Sequence, residues 1–150
     1  MAEDNPTLPL VHLLRGLTVE LDLAAAAFAA EHHLHGTDLR ALIALLDAER
    51  SGTNATPGWL GGQLRLSSAS TTALLDRLAD RDLVARSADP DDRRRVLLTV
   101  TDAARAVGWL FFGPLIGGIV DTLDADFDAA EREVLRRVLL RLTEVVSAAR

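Results

Sequence analysis

Cysteine is absent from this 150-residue chain, and so are lysine and tyrosine. Without cysteine there is no disulfide staple, no cysteine-bearing zinc site and no thiol redox chemistry. Without lysine, all sixteen basic side chains are arginine. That composition reads first as a GC-rich coding bias, which also accounts for the missing tyrosine. No run of about 18 apolar residues marks a membrane-spanning helix. The opening MAEDNPTLPL is acidic where a signal peptide would be basic. These readings predict a cytoplasmic protein with no membrane partner. Apolar residues at 49% and charged residues at 25% describe a globular chain, long enough for one domain or two joined halves.

The net charge of −6 argues at first against a nucleic-acid partner. Its distribution softens the objection. Residues 1–55 balance to −5 and residues 102–150 to −2, whereas residues 56–101 balance to +1. The central stretch alone lacks a negative excess, so the placement of individual arginines has to carry the case.

Leu10, Leu13, Leu14, Leu17 and Leu21, followed by an alanine-rich run to Phe28, have helical spacing with a wide apolar face. Part of that face is expected at a subunit interface. EHHLHG follows, and the spacing of His32, His33 and His35 gives no third anchor for a metal. Gly36 is expected to end this helix, with Thr37 or Asp38 capping a second from about Leu39 to Glu49. Leu39, Leu42, Ile43, Leu45 and Leu46 mark its buried side.

Thr56-Pro57 then gives an N-cap with proline in the first turn of a short helix holding Leu60 and Leu64. Arg65-Leu66 forms a turn, and Ser67 or Ser68 caps the next helix. Leu74, Leu75, Leu78 and Thr71 share its inner side. The opposite face holds Ser68, Ala69, Thr72, Ala73, Asp76 and Asp80, with Ser70 and Arg77 at its border. The first half of that face is small and hydroxyl-bearing, a surface that can enter a DNA major groove without a steric block. Two β-prone runs, LVAR (83–86) and VLLTV (96–100), flank SADPDDRRR, a turn-forming segment that ends in Arg93, Arg94 and Arg95. A helix-turn-helix followed by a basic hairpin places arginines where a wing reaches the adjacent minor groove, whose negative potential attracts them.

These residues resemble the MarR family of bacterial transcriptional regulators. The resemblance runs from about Leu34 to Thr101. It is carried by the Leu60–Leu64 helix, by LSSASTTALLDRLADRDLVAR (66–86) and most specifically by DPDDRRRVLLTVT (89–101). It implies a mainly α fold with a small β-wing. A winged helix-turn-helix DNA-binding domain would span 37–101, and residues 7–36 plus 102–150 would form helical dimerisation regions. It further implies that Arg94 enters the minor groove and that Asp92 holds the wing arginines, with Arg93 paired to it or to phosphate. Ser68, Ser70, Thr72 and Ala73 would face bases, and Arg77 and Arg86 phosphates. Arg65 and Arg95 complete the DNA-side set. Asp82 stands where the family usually has glycine, and Ala104 where a glycine often follows the wing.

Thr101-Asp102 begins a further helix, which Gly113-Pro114 is expected to break or kink. Asp128 and Glu131 have capping-box spacing at the start of the last helix, whose stripe is Leu135, Val138, Leu139, Leu142, Val145 and Val146. In relatives the outer helices interlock as a homodimer. The junction beside them can hold a small effector, so His32, His33, Trp109 and Phe112 are candidates for an aromatic ligand. No nucleophile, base and orienting group converge, and there is no phosphate loop, so the chain is not expected to be an enzyme or to carry a cofactor. The leading expectation is a homodimeric regulator of double-stranded DNA, a repressor released by a small molecule. The alternative is a winged-helix protein-interaction module without specific DNA binding.

Overall fold

The structure, a computed structural model, describes residues 5–149. The element order is α1 (Leu8–Glu31), α2 (Gly36–Arg50), α3 (Pro57–Leu64), α4 (Ser68–Asp80), β1 (Val84–Ala88), β2 (Val96–Val100), α5 (Asp102–Asp126) and α6 (Ala129–Ala148). The fold is mainly α with one small antiparallel sheet, in which Val84 pairs with Val100, Arg86 with Leu98 and Ala88 with Val96. The chain divides between Ala106 and Val107 into two compact units.

The core of the first unit is built from the inner faces of α2, α3, α4 and the sheet. Leu45, Leu60, Leu74, Leu75 and Leu78 are fully buried, joined in one cluster by Val84, Leu98 and Val100. The leucines follow the helical period and Leu98 and Val100 the two-residue period of a strand, so one apolar face of each element is consumed. Of α1, only Phe28 and Ala29 are buried. Leu10, Leu13, Leu17 and Leu21 of the same helix are exposed.

In the second unit no described residue is buried. The α6 stripe of Leu135, Val138, Leu139, Leu142, Val145 and Val146 is exposed along its length. The start of α6 has the reciprocal cap expected of it. Asp128 Oδ1 accepts the Glu131 N–H at 2.8 Å, and Glu131 Oε2 accepts the Asp128 N–H at 2.8 Å.

Several local expectations are corrected. The first helix ends at Glu31 rather than Gly36, and His33 takes the left-handed conformation at φ 52° that a glycine was expected to provide. Gly36 instead opens α2. Ile43 is exposed (43%), because the core is reached from Leu39, Leu42 and Leu45 on the neighbouring face. Most plainly, α5 runs unbroken through Pro114. Proline removes one intrahelical bond, but helix-forming residues continue on both sides and nothing at 113–116 caps either end. The Trp109 indole lies over Gly113, 3.3 Å from where a Cβ would stand. α5 is also long and apolar enough to cross a membrane by length and composition, with an 18-residue window of mean hydropathy 1.5. Between Arg105 and Asp121 it carries no charged residue.

Two neighbouring glycines of α3 should respond oppositely to alanine. A Cβ on Gly61 would meet Thr71 Oγ1 at 2.8 Å, while one on Gly62 meets nothing within 4 Å. The Thr71 hydroxyl is held by donating to the Ser67 carbonyl at 2.9 Å, so it cannot simply swing away. Gly61→Ala is expected to destabilise by about 1–3 kcal/mol, and Gly62→Ala to stabilise by up to about 1 kcal/mol. Denaturant unfolding of both variants checks this, and equal effects would contradict it.

Candidate nucleic-acid interface

Each element of the helix-turn-helix is started by a cap legible in the sequence. Thr56 Oγ1 accepts the Trp59 N–H at 3.2 Å, with Pro57 in the first turn of α3. Ser67 Oγ accepts the Ser70 N–H at 3.1 Å and opens α4. Between the helices Arg65 turns the chain in the left-handed region at φ 55°, and the Leu66 N–H reaches back to the Gly61 carbonyl at 2.9 Å. α4 ends with Asp82 at φ 53°, so an aspartate adopts the backbone expected of a glycine.

The inner face of α4 buries Thr71, Leu74, Leu75 and Leu78. Ser68, Ser70, Thr72 and Ala73 are all exposed on the outside. Two of these hydroxyls already have a local bond. Thr72 Oγ1 donates to the Ser68 carbonyl at 3.0 Å, and Ser70 Oγ accepts from Ser67 Oγ at 2.9 Å. The outward surface is therefore low in profile and presents mainly hydroxyl oxygens and a methyl. A groove of about 280 Å³ runs between α3 and α4, lined by Gly58, Gly61, Gly62, Ser68 and Thr72 among others.

Arg77 of α4 and the Arg81 and Arg86 that follow the helix are committed elsewhere. The Arg77 guanidinium grips Asp38 at the start of α2, with Nε 3.1 and 3.3 Å from the two carboxylate oxygens and Nη2 on Oδ1. Asp38 is fully buried and its Oδ2 also accepts the His35 N–H at 3.0 Å. Burial pushes this carboxyl up. The hydrogen bonds from Arg77 and from the His35 backbone, with the charges of Arg77 and His35, outweigh that and leave it below its ordinary value. Arg77 thus has a structural partner where the resemblance implied a phosphate. One turn on, Arg81 donates to the carbonyls of His33 at 2.9 Å and His32 at 2.7 Å. Arg86 pairs with Asp76 at 2.7 Å across an exposed surface.

In the wing the acid that carries the burial is Asp89, not Asp92. Asp89 is 1% exposed. Its Oδ1 accepts the Asp91 N–H at 2.9 Å, its own N–H donates to the Arg95 carbonyl at 3.0 Å, and its Oδ2 lies 3.4 Å from Arg95 Nη1. Asp92 acts on the backbone instead, accepting the Arg94 N–H at 3.0 Å on its side chain and the Arg95 N–H at 2.8 Å on its carbonyl. Arg93 and Arg94 are exposed, and among the described residues neither guanidinium has an ion-pair partner. The base of the wing is stapled by Glu49, which accepts the Val100 N–H at 3.2 Å and pairs with Arg105 at 2.6 Å. Arg105 returns a bond to the Val100 carbonyl at 3.0 Å. Its hydrogen bond with Glu49 chiefly holds its proton more tightly than usual.

The sequence readings gave no role to the side chains of Arg81, Asp89, Glu49 and Arg105, and named Asp38 only as a possible cap of the second helix. Only Asp89 carried a local signal, its place beside Pro90 at the start of a turn. The proposed effector residues fall in different units. His32, its ring 4.4 Å from that of Phe28, and His33 stand at the α1–α2 corner of the first. Trp109, 65% exposed, and Phe112, edge-on to Phe111 at 5.0 Å, belong to the second. A separate cavity of about 270 Å³ lies between α1 and α2, lined by Asp22, Ala26, Ala29, Gly36, Leu39 and Arg40 among others.

The sequence profile of the MarR family matches residues 33–95, which take in α2, the helix-turn-helix and the wing. The chain is 35% identical over 125 residues to the uncharacterized HTH-type transcriptional regulator YcgE of Bacillus subtilis (strain 168), covering 83% of this chain and 78% of that one. The chain belongs to the MarR family. Its fold is also that of S. aureus MepR at 18% identity. The crystal structure of a MepR mutant from a multidrug resistant clinical isolate superposes with a TM-score of 0.72 over 94% of this chain and 97% of that one. The MepR–DNA complex gives 0.57 over 93% and 99%, and MepR bound to ethidium bromide 0.58 over the whole of both chains. Membership makes this a DNA-binding transcriptional regulator with a winged helix.

The buried carboxylate sets a pH test. Because the Asp38 pKa is lowered on folding, its contribution is complete above the ordinary carboxylate value of about 4 and is lost as pH falls through the lowered one. Asp38→Asn keeps the size and one acceptor but removes the charge. The freed Arg77, 40% exposed, can hydrate, so a loss of about 2 kcal/mol at neutral pH is expected rather than the full cost of breaking a buried pair. Unfolding measured from pH 7 downward should show the gap to wild type closing below about pH 4. A gap independent of pH would refute the assignment.

Proposed function

We propose that this chain is a homodimeric, sequence-specific repressor that leaves its operator when a small aromatic effector binds. The observation that carries the reading is the pair of wing arginines, Arg93 and Arg94, exposed and without an acidic partner among the described residues. They follow a helix whose outer face offers only small groups over its first half. In a chain of net charge −6, cations left unneutralised at one tip are the groups that would meet phosphate and minor groove. That MepR has been crystallised with DNA and determined with ethidium bromide bound supports both the duplex and the ligand.

Dimerisation is supported by apolar surface a single chain leaves wet. Leu13 and Leu23 of α1, Leu110 and Val120 of α5, and Leu140 and Val145 of α6 are each about half exposed or more. Apolar surface of that kind on each unit marks an interaction surface, and we read the apolar α5 as facing a second copy rather than lipid. On this reading residues 7–36 and 102–150 serve pairing, and residues 37–101 serve DNA. Each protomer reads one half-site about 10 bp from the other. The effector stabilises a spacing of the two recognition helices that does not match the operator. The protein works in the cytoplasm, where its DNA is.

A mobility-shift titration against the duplex upstream of the chain's own coding sequence tests the reading. Arg94→Ala should weaken binding about tenfold or more at low salt while sedimentation shows the dimer unchanged. Failure of wild type to prefer that duplex over unrelated DNA would instead favour the protein-interaction module.

A further inference from the structure

Arg77, in the last turn of α4, and Arg81, its C-cap, lie one turn apart on the flank of the helix, and both reach the corner where α1 meets α2. Arg77 takes the buried Asp38 carboxylate of the first turn of α2. Arg81 takes the carbonyls of His32 and His33 as α1 ends. Those carbonyls belong to a helix terminus, where partial negative charge favours a cation. Asp38 is itself fixed by the His35 N–H, and the corner is tightened by the Leu34 N–H on the Ala29 carbonyl at 2.8 Å.

The leucines beneath α4 hold it against the core, but apolar contact is non-directional. Charge-assisted hydrogen bonds from planar guanidinium groups are directional. We infer that Asp38, Arg77 and Arg81 form a clamp that sets the orientation of the recognition helix, so that Arg77 serves DNA recognition as a positioning residue and not as a phosphate contact. The inference rests on the DNA-binding reading above. Its consequence is that a shift of α1 against α2 pulls on two guanidinium groups and turns the base-facing side of α4.

Salt dependence separates positioning from contact. A phosphate contact releases counterions, so its loss reduces the slope of log affinity against log salt by about 0.9 for each contact in each protomer. A positioning residue lowers affinity and leaves the slope. Full-length wild type, Arg77→Gln, Asp38→Asn, the double variant and Arg94→Ala would be titrated with the upstream duplex at several salt concentrations. Arg77→Gln and Asp38→Asn should each weaken binding about tenfold, the size of one lost base contact, with the wild-type slope. The double variant should be no weaker than the weaker single one, since both break the same pair. Arg94→Ala should lower the slope, which shows that the assay detects a contact.

A lowered slope in Arg77→Gln, or wild-type affinity in Asp38→Asn, overturns the clamp while leaving the DNA-binding reading standing. A wild type that binds no duplex overturns both. If Asp38→Asn does not fold, Arg81→Gln takes its place, with weaker binding at unchanged slope expected and wild-type affinity contrary.

Discussion

Leu74, Leu75 and Leu78 bury one side of α4 in a cluster with Leu45 of α2, Leu60 of α3 and the sheet residues Val84, Leu98 and Val100. That burial is the interaction on which the other parts of the first unit depend. It consumes the only apolar face α4 has, so every charged side chain on the helix must point elsewhere. Small groups go outward, and arginines go to the flank. It also brings α3 so close to α4 that Gly61 tolerates no Cβ beside Thr71. The wing is tied into the same core through Leu98, whose N–H also donates to the Ala55 carbonyl at 2.9 Å. The short sheet therefore has a fixed root although its tip is exposed.

Around this apolar centre the charges are sorted by burial. Arginines near the core meet acids or carbonyls, as Arg77 meets Asp38, Arg105 meets Glu49 and Arg95 lies beside Asp89. Those beyond it, Arg93 and Arg94, have no acidic partner among the described residues. The difference follows from desolvation. A cation close to a low-dielectric interior without a partner is costly, whereas one at a loop tip is hydrated until a ligand replaces the water. A chain with an overall negative charge can thereby keep a locally positive tip.

Among the described residues three non-glycine residues turn the backbone left-handed, His33, Arg65 and Asp82, and all stand at helix ends in the first unit. Each is held by neighbouring bonds. The Leu34, Leu66 and Leu83 N–H groups reach back to the carbonyls of Ala29, Gly61 and Leu78, all at 2.8–2.9 Å. In each case a leucine follows the turn, and its packing against the cluster offsets the conformational cost. This is why a reading that expected glycine at the first helix end misplaced it by several residues.

What the sequence determined by itself is whatever depends on near neighbours. The helical period identified the buried leucines of α2, α3 and α4, though not the alanines Ala41, Ala48 and Ala55 packed among them. Thr56, Ser67 and the Asp128–Glu131 pair announced helix starts through bonds spanning three residues. The wing, with its arginine run, was legible for the same reason. Tertiary structure alone decided which cations are available. Asp38 and Arg77 are 39 positions apart, and Arg81 is 48 from His33. No local pattern reveals a partner at that distance, so an arginine on the flank of the recognition helix reads from sequence as a phosphate contact. Only when α2 and α4 are packed on a common core does its carboxylate come within reach. The same holds for α5, where the rule for proline predicted a break or a kink and the helix on both sides of Pro114 continued without a break.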